Sequence, residues 1–264
     1  GYKAIAINLS DIAAMGGTPL NAVVSIALPQ TIEVEFVVEV YDGMKRACRE
    51  AAVNIVGGDT TSSPSGVVIN VTMLGEATEN TVVYRSGAKP GEIIAVTNFL
   101  GTSAAGLELL QTGQFKDEDF AVPIIERHLL PQAQHAVGSL LARFVSSMDD
   151  ISDGLASELH EIAAASVVGM RVDEASVPIM PQVRHTAALF NKNPLDYALY
   201  GGEDFQLLFT ITKEQFIRLR RELPEIMLTA IGEVTARKGE VELVKKDGTV
   251  ELIYPRGYNH FRHD

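Results

Sequence analysis

Short apolar runs and helical apolar stripes follow one another along the chain, and each predicts an element. Ala4-Ile5-Ala6-Ile7 has the size of a strand. Ser10-Asp11 then predicts a short helix over Ile12 to Met15, with Ser10 as its N-cap and Gly16-Gly17 as its stop. Ala22 to Leu28 reads as a strand closed by Pro29. Val34, Val37, Val38, Tyr41, Met44, Cys48, Ala51 and Ile55 fall at helical spacing and predict one long helix, broken by Gly57-Gly58. Val67, Ile69, Val71 and Met73 alternate with Val68, Asn70 and Thr72, as in a strand.

Near residues 85–92 the pattern turns polar and rich in turn formers, and Pro90-Gly91 suits the centre of a type II turn. A boundary here divides the chain into units 1–84 and 85–264. The second unit predicts a strand over Ile93 to Thr97, helices over Ser103 to Leu110 and Ala133 to Phe144, and a surface loop over 111–123. After Asp149-Asp150-Ile151-Ser152-Asp153-Gly154 comes a helix with Leu155, Leu159, Ile162 and Ala163 on one face. A strand over Phe205 to Ile211, a helix over Lys213 to Leu223, and strands over Glu240 to Val244 and Val250 to Tyr254 complete a mixed α/β pattern in two consecutive units.

Composition narrows the classes. In 264 residues, 46% apolar and 21% charged, no apolar run approaches the ~18 residues of a membrane span. The N-terminus lacks the basic-then-apolar order of a signal peptide. The single cysteine, Cys48, rules out an internal disulfide and fits a reducing, cytoplasmic setting. A net charge of −12 disfavours nucleic acid as a partner, because it repels phosphate backbones. The chain starts at Gly1, almost directly on an apolar run, so a further segment is expected upstream.

The candidate chemistry is acidic. Asp11, Asp59, Asp150, Asp153 and the pair Glu203-Asp204 each stand beside a glycine or a serine at the end of an apolar run. Singly, each is a cap or turn former. Their repetition points to a ligand edge of an α/β fold. Carboxylates that converge need cations, and hard oxygen ligands select magnesium or calcium. The run from Asp149 fails the EF-hand pattern, with Ile151 at its third position and His160 at its twelfth. Magnesium with phosphates fits better, since it uses few carboxylates and leaves positions for phosphate oxygens. No glycine is followed by lysine and no two are spaced G-x-G, which removes the Walker A, Rossmann and protein-kinase loops. Gly101 to Gly106 could present backbone N–H groups to a phosphate or serve close packing, and Arg85 and Lys89 are candidate phosphate partners. The histidines show no metal spacing, and Ser103 and Ser152 have no histidine near in sequence to form a triad.

Five motifs in order carry a resemblance: Asn8-Leu9-Ser10-Asp11-Ile12-Ala13-Ala14-Met15-Gly16, Gly57-Gly58-Asp59-Thr60-Thr61, Arg85-Ser86-Gly87-Ala88-Lys89-Pro90-Gly91, Asp150-Ile151-Ser152-Asp153-Gly154-Leu155 and Gly201-Gly202-Glu203-Asp204-Phe205. Together with the Gly257-Tyr258-Asn259-His260-Phe261 tail they resemble the thiamine-monophosphate kinases across essentially the whole chain. The resemblance implies a two-domain α/β fold of the aminoimidazole ribonucleotide synthetase type. An N-terminal dimerisation domain pairs in a homodimer, and a C-terminal domain follows. It also implies phosphoryl transfer from ATP to thiamine monophosphate with Mg2+. By matching position, Asp11, Asp59, Asp150 and Asp153 are implied as metal ligands. Tyr41, Gly58, Asp59, Arg85 and Ser152 are implied as nucleotide contacts, and Glu203 and Tyr258 as contacts to the thiamine part. The chain departs from the family pattern at Asn98, where glycine is usual, and at Phe205-Gln206, which replaces Tyr-Glu. The family's upstream acidic and glycine-rich segment lies outside this chain. Relatives in the same superfamily that act on other acceptors, and a non-catalytic nucleotide-binding scaffold, are the alternatives.

Overall fold

The computed structural model describes residues 1–256. The first unit runs α1 (Tyr2–Ala14), β1 (Thr18–Leu28), α2 (Val34–Glu50), β2 (Asn54–Ser62) and β3 (Val68–Glu76). Its sheet has the order β2-β1-β3, with β2 parallel and β3 antiparallel to β1. Ile5 and Leu9 of α1 and Met44, Ala47 and Cys48 of α2 pack against Ala22 and Val24 on one face of that sheet. Full burial of the larger side chains among these, such as Ile5 and Met44, contributes about 1.5–3 kcal/mol each. The opposite face is open, and Val56, Val68 and Leu74 are each more than half exposed.

Residues 1–14 therefore correct the sequence reading. Ala4 to Ile7 is not a strand but the start of α1, and Ser10 is not an N-cap but a fully buried position inside that helix. The predicted stop does hold: Gly16 takes φ +69°, and the Gly16 and Gly17 N–H groups donate to Ala13 and Ile12 carbonyls. α2 is also shorter than predicted. It ends at Glu50, Ala52 turns the chain with φ +55°, and Gly57-Gly58 lies within β2. The reason for Gly58 is space. A Cβ there would lie 1.8 Å from the Val24 carbonyl oxygen on the neighbouring strand.

The second unit continues β4 (Ile93–Thr97), α3 (Thr102–Thr112), α4 (Val122–Leu129), α5 (His135–Leu141), β5 (Ser147–Asp150), α6 (Leu155–Ser166), β6 (Gly169–Asp173), α7 (Pro181–Leu189), α8 (Pro194–Tyr200), β7 (Leu207–Ile211), α9 (Lys213–Glu222), β8 (Leu228–Thr235), β9 (Val241–Val244) and β10 (Val250–Leu252). The seven strands take the order β10-β9-β6-β8-β4-β7-β5. Helices cover both faces, so Ile94 and Leu208 enter one core and Ala95, Leu207, Phe209 and Ile211 the other. Burial on both faces explains the continuous apolar runs of β4 and β7.

α1 joins the two units. Ala13 and Ala14 belong to the second unit's core with Leu141, Met148 and Phe209, while Ile5 and Leu9 belong to the first. A Cβ on Gly138 of α5 would lie 2.2 Å from the Ala13 carbonyl oxygen, so glycine lets α5 approach α1 closely. No helix among the described residues is long and apolar enough to cross a membrane.

Candidate active site

β5 ends at Asp150, and the chain turns through Gly154, at φ +106°, into α6. This turn is interlocked with the lead-in to β7. Glu203 N–H donates to Ser152 O at 2.6 Å, Phe205 N–H to Ile151 O at 2.9 Å, and Ile151 N–H to Gln206 O at 2.7 Å. Glu203 and Phe205 both hold left-handed backbone, φ +69° and +50°, a conformation that non-glycine residues keep only when their surroundings impose it. Gly202 supplies clearance, since a Cβ there would lie 2.6 Å from Ser152 O.

A cleft of about 1140 Å³ opens over this interlock. Asp11 enters from α1, Asp150, Ser152 and Asp153 from the turn, and Glu203 from the opposing segment. Ser10 Oγ donates to Asp150 Oδ2 at 2.6 Å, which explains a polar side chain buried in α1. Burial, against that hydrogen bond and with Asp11 and Asp149 adding like charge, pushes the Asp150 carboxyl up to about 7. Beside it, Asp149, Glu158 and Glu161 bring three carboxylates within 4.8 Å of one another. Burial pushes Asp149 up to about 6 despite Arg85, and burial with its acidic neighbours pushes Glu158 up to about 8.

Arg85 occupies an adjoining hollow with Asp11, Asp149 and Asp150. Its Nε lies 2.6 Å from Asp149 and 3.0 Å from Glu161. The strap carrying it is fixed by Ser166 Oγ, which accepts from Gly87 N–H and Ala88 N–H and donates to Arg85 O. Tyr41, Gly58 and Asp59 share a third hollow along β2, and Asp59 is not among the residues lining the main cleft. The structure thus brings Asp11, Asp150, Ser152, Asp153 and Glu203 together, sets Arg85 beside them, and groups Tyr41, Gly58 and Asp59 apart. Tyr258 lies outside the described residues. Lys89 is exposed on the strap, and its N–H donates to Glu92.

The start of α3 is no phosphate cradle. Asp204, buried, accepts from Gly101 N–H at 2.5 Å and Ser103 N–H at 3.1 Å. It caps a helix whose N-cap residue, Gly101, has no side chain to do so. Burial nevertheless pushes its carboxyl up to about 7. Gly106 serves packing, since a Cβ there would lie 2.3 Å from the Ile124 carbonyl oxygen in α4.

Sequence reasoning missed Lys3, His128, Glu158 and Glu161. Lys3 Nζ lies 2.7 Å from Glu203 Oε2. His128 Nδ1 lies 3.5 Å from that same oxygen and 2.9 Å from Ser103 Oγ. Burial and the Lys3 ammonium push the His128 imidazole below its ordinary pKa. Glu158 and Glu161 could have been found as acids spaced i, i+3 in the helix that follows the Asp-Gly turn. Lys3 and His128 carry no such local signal.

The N-terminal domain of AIR synthase related proteins matches residues 1–77, and the C-terminal domain of the same family matches residues 89–245. The chain is 38% identical to the thiamine-monophosphate kinase of Bacillus subtilis, over 99% of this chain and 81% of that protein. It is 37% identical to that of Aquifex aeolicus, over 99% and 80%. The solved complex of AaThiL with AMPPCP and TMP superposes with a TM-score of 0.89 at 36% identity, covering 98% of this chain and 79% of that one. With its two AIR-synthase-type domains and its acidic interlocked cleft, the chain belongs to the thiamine-monophosphate kinase family.

Proposed function

We propose that the protein transfers the γ-phosphoryl group of ATP to thiamine monophosphate, giving ADP and thiamine diphosphate. The observation that carries this reading is the cleft that gathers Asp11, Asp150, Asp153 and Glu203 from both units, in a chain 36% identical to AaThiL, which was solved with AMPPCP and TMP. The acceptor's phosphate oxygen is anionic at neutral pH, so the reaction needs no general base. Transfer then depends on in-line placement and on neutralising charge.

Asp11, Asp150 and Asp153 offer hard carboxylate oxygens that converge in one cleft. That donor set fits Mg2+, which when bound offsets the charge of the transferring phosphates. Asp59 is proposed as a further ligand on the nucleotide side, where Tyr41 and Gly58 border the same hollow. Arg85 and Ser152 face the nucleotide phosphates in this proposal, and Glu203 and Tyr258 the thiamine moiety. A cytoplasmic setting belongs to the same proposal, because ATP is the donor.

The proposal also pairs two copies through the open face of the three-stranded sheet, where Val56, Val68 and Leu74 would be covered. Light scattering that finds a monomer at micromolar concentration overturns the pairing.

The activity is tested by following thiamine diphosphate formation from ATP and thiamine monophosphate, with calorimetry of a non-hydrolysable ATP analogue alongside. Turnover abolished by chelator, with weaker analogue binding, is expected. Equal affinity with Mg2+ and with chelator overturns the metal assignment, and no product from thiamine monophosphate overturns the acceptor.

A further inference from the structure

Lys3 and Glu203 form an ion pair inside the cleft, between α1 of the first unit and the Gly-Gly-Glu-Asp segment of the second. The two partners differ in freedom. Glu203 sits at φ +69° with its N–H held by Ser152 O, and His128 Nδ1 stands 3.5 Å from the same carboxylate oxygen that Lys3 meets. Lys3 reaches it on a flexible four-carbon stem, from the same helix that carries Asp11. Asp11 lies eight residues further along α1, about 12 Å at 1.5 Å per residue.

The acceptor carries both charges of such a pair. Its thiazolium is cationic, its phosphate anionic, and a two-carbon tether separates them. We propose that the acceptor exchanges partners with this ion pair: the thiazolium takes the place of the Lys3 ammonium at Glu203, and the freed Lys3 pairs with the acceptor phosphate. Lys3 is then a specificity-determining residue that favours phosphorylated over unphosphorylated thiamine. The inference rests on the reading that Glu203 faces the thiamine moiety.

The other cations lining the cleft are less suited. Lys192 is engaged by Glu108 at 2.8 Å and lies over the Tyr197 ring, and Arg256 lies over the Tyr254 ring. Only for Lys3 does binding of the acceptor's cation release the ammonium. A phosphate offers that ammonium a charge-assisted partner in return. Unphosphorylated thiamine would displace Lys3 and give it nothing.

The test is calorimetric binding of thiamine and of thiamine monophosphate to the complete protein and to its Lys3→Gln and Glu203→Gln variants. AMPPCP binding and melting temperature serve as controls. Lys3→Gln is expected to weaken thiamine monophosphate binding about tenfold, the loss of one charge-assisted bond. The same variant is expected to bind thiamine several-fold more tightly, because no lysine competes for Glu203. Lys3→Arg should restore part of the preference for the phosphorylated acceptor. Glu203→Gln should weaken both acceptors. If Glu203→Gln weakens both while Lys3→Gln moves both in one direction, or neither, the exchange is overturned and the Glu203 reading survives. If Glu203→Gln changes neither, the Glu203 reading fails and the exchange fails with it.

Discussion

The turn after β5 and the middle of β2 each present an aspartate close to glycine, in opposite surroundings. Asp150 is 4% exposed, and Ser10 bonds to its carboxylate from another unit. The turn that follows it is bonded to the lead-in of β7. Asp59 is exposed on β2, and its carboxylate accepts only the local N–H of Thr60 among the described residues. The first acid is placed by protein before any ligand arrives. The second is placed by its strand alone, so a ligand must do the remaining ordering. Preorganisation of the first kind makes a charged group most useful in a transition state.

The sharpest way to break that comparison is to neutralise each acid. Asp150→Asn is expected to lower turnover by ~10²–10³, the usual cost of one preorganised charge contact. Asp59→Asn is expected to lower turnover too, with stability within ~0.5 kcal/mol of the parent, since the site is exposed. Turnover and melting temperature measured on the same samples decide it. Normal turnover in Asp59→Asn would leave β2 as framework only.

A smaller effect distinguishes two adjacent glycines. Gly58→Ala is expected to destabilise by ~1–3 kcal/mol through overpacking against Val24. At Gly57 a Cβ meets nothing within 4 Å, so Gly57→Ala should stay within ~0.5 kcal/mol. Urea unfolding of both variants checks this, and equal losses would mean that β2 is not paired to β1 as described.

An effect of similar size, but one that depends on pH, is expected at Asp204, a buried acid placed wholly by protein. Asp204→Asn loses one of the bonds to the start of α3 and sets an amide N–H against a backbone N–H, at a cost of ~1–3 kcal/mol. Its folded pKa, about 7, lies above the unfolded value of 3.8. The native state therefore binds the proton more tightly, and this group's stabilisation is full below pH 3.8 and lost as pH rises through 7. The melting gap between parent and Asp204→Asn should narrow over that window. A gap that widens toward pH 8 would mean that the backbone donors outweigh burial.

Much of this was legible in the chain, with failures that have physical causes. The runs of β4 and β7 and the stripe of α6 identify themselves because each packs on a continuous core. α1 does not, because its buried positions Ile5, Ala6, Leu9, Ser10, Ala13 and Ala14 form one broad face that includes the polar Ser10, and the run Ala4-Ile5-Ala6-Ile7 at its start has the size of a strand. β8 escaped because its buried residues Leu228, Ile231 and Val234 fall three apart. Ile231 is the bulged residue where pairing with β4 slips between Ile94 and Ala95, and a bulge breaks the period of two. Of the site, the acids were legible and their grouping was not. Nothing local in Gly-Gly-Asp tells an exposed strand from a buried turn.

The position of α1 across two cores bears on how the chain can be divided. Cutting at 84/85 would leave the second unit without Ala13 and Ala14, and with Leu141, Met148 and the glycine groove at Gly138 laid bare. The same cut would carry away Lys3, Ser10 and Asp11, so neither piece would hold a whole cleft. The two sheets are separate in topology, but one helix makes them a single heritable part. A functional transplant between relatives would have to move α1 together with the β5–α6 turn, because Ser10, which bonds Asp150, and Lys3, which pairs with Glu203, travel on that helix.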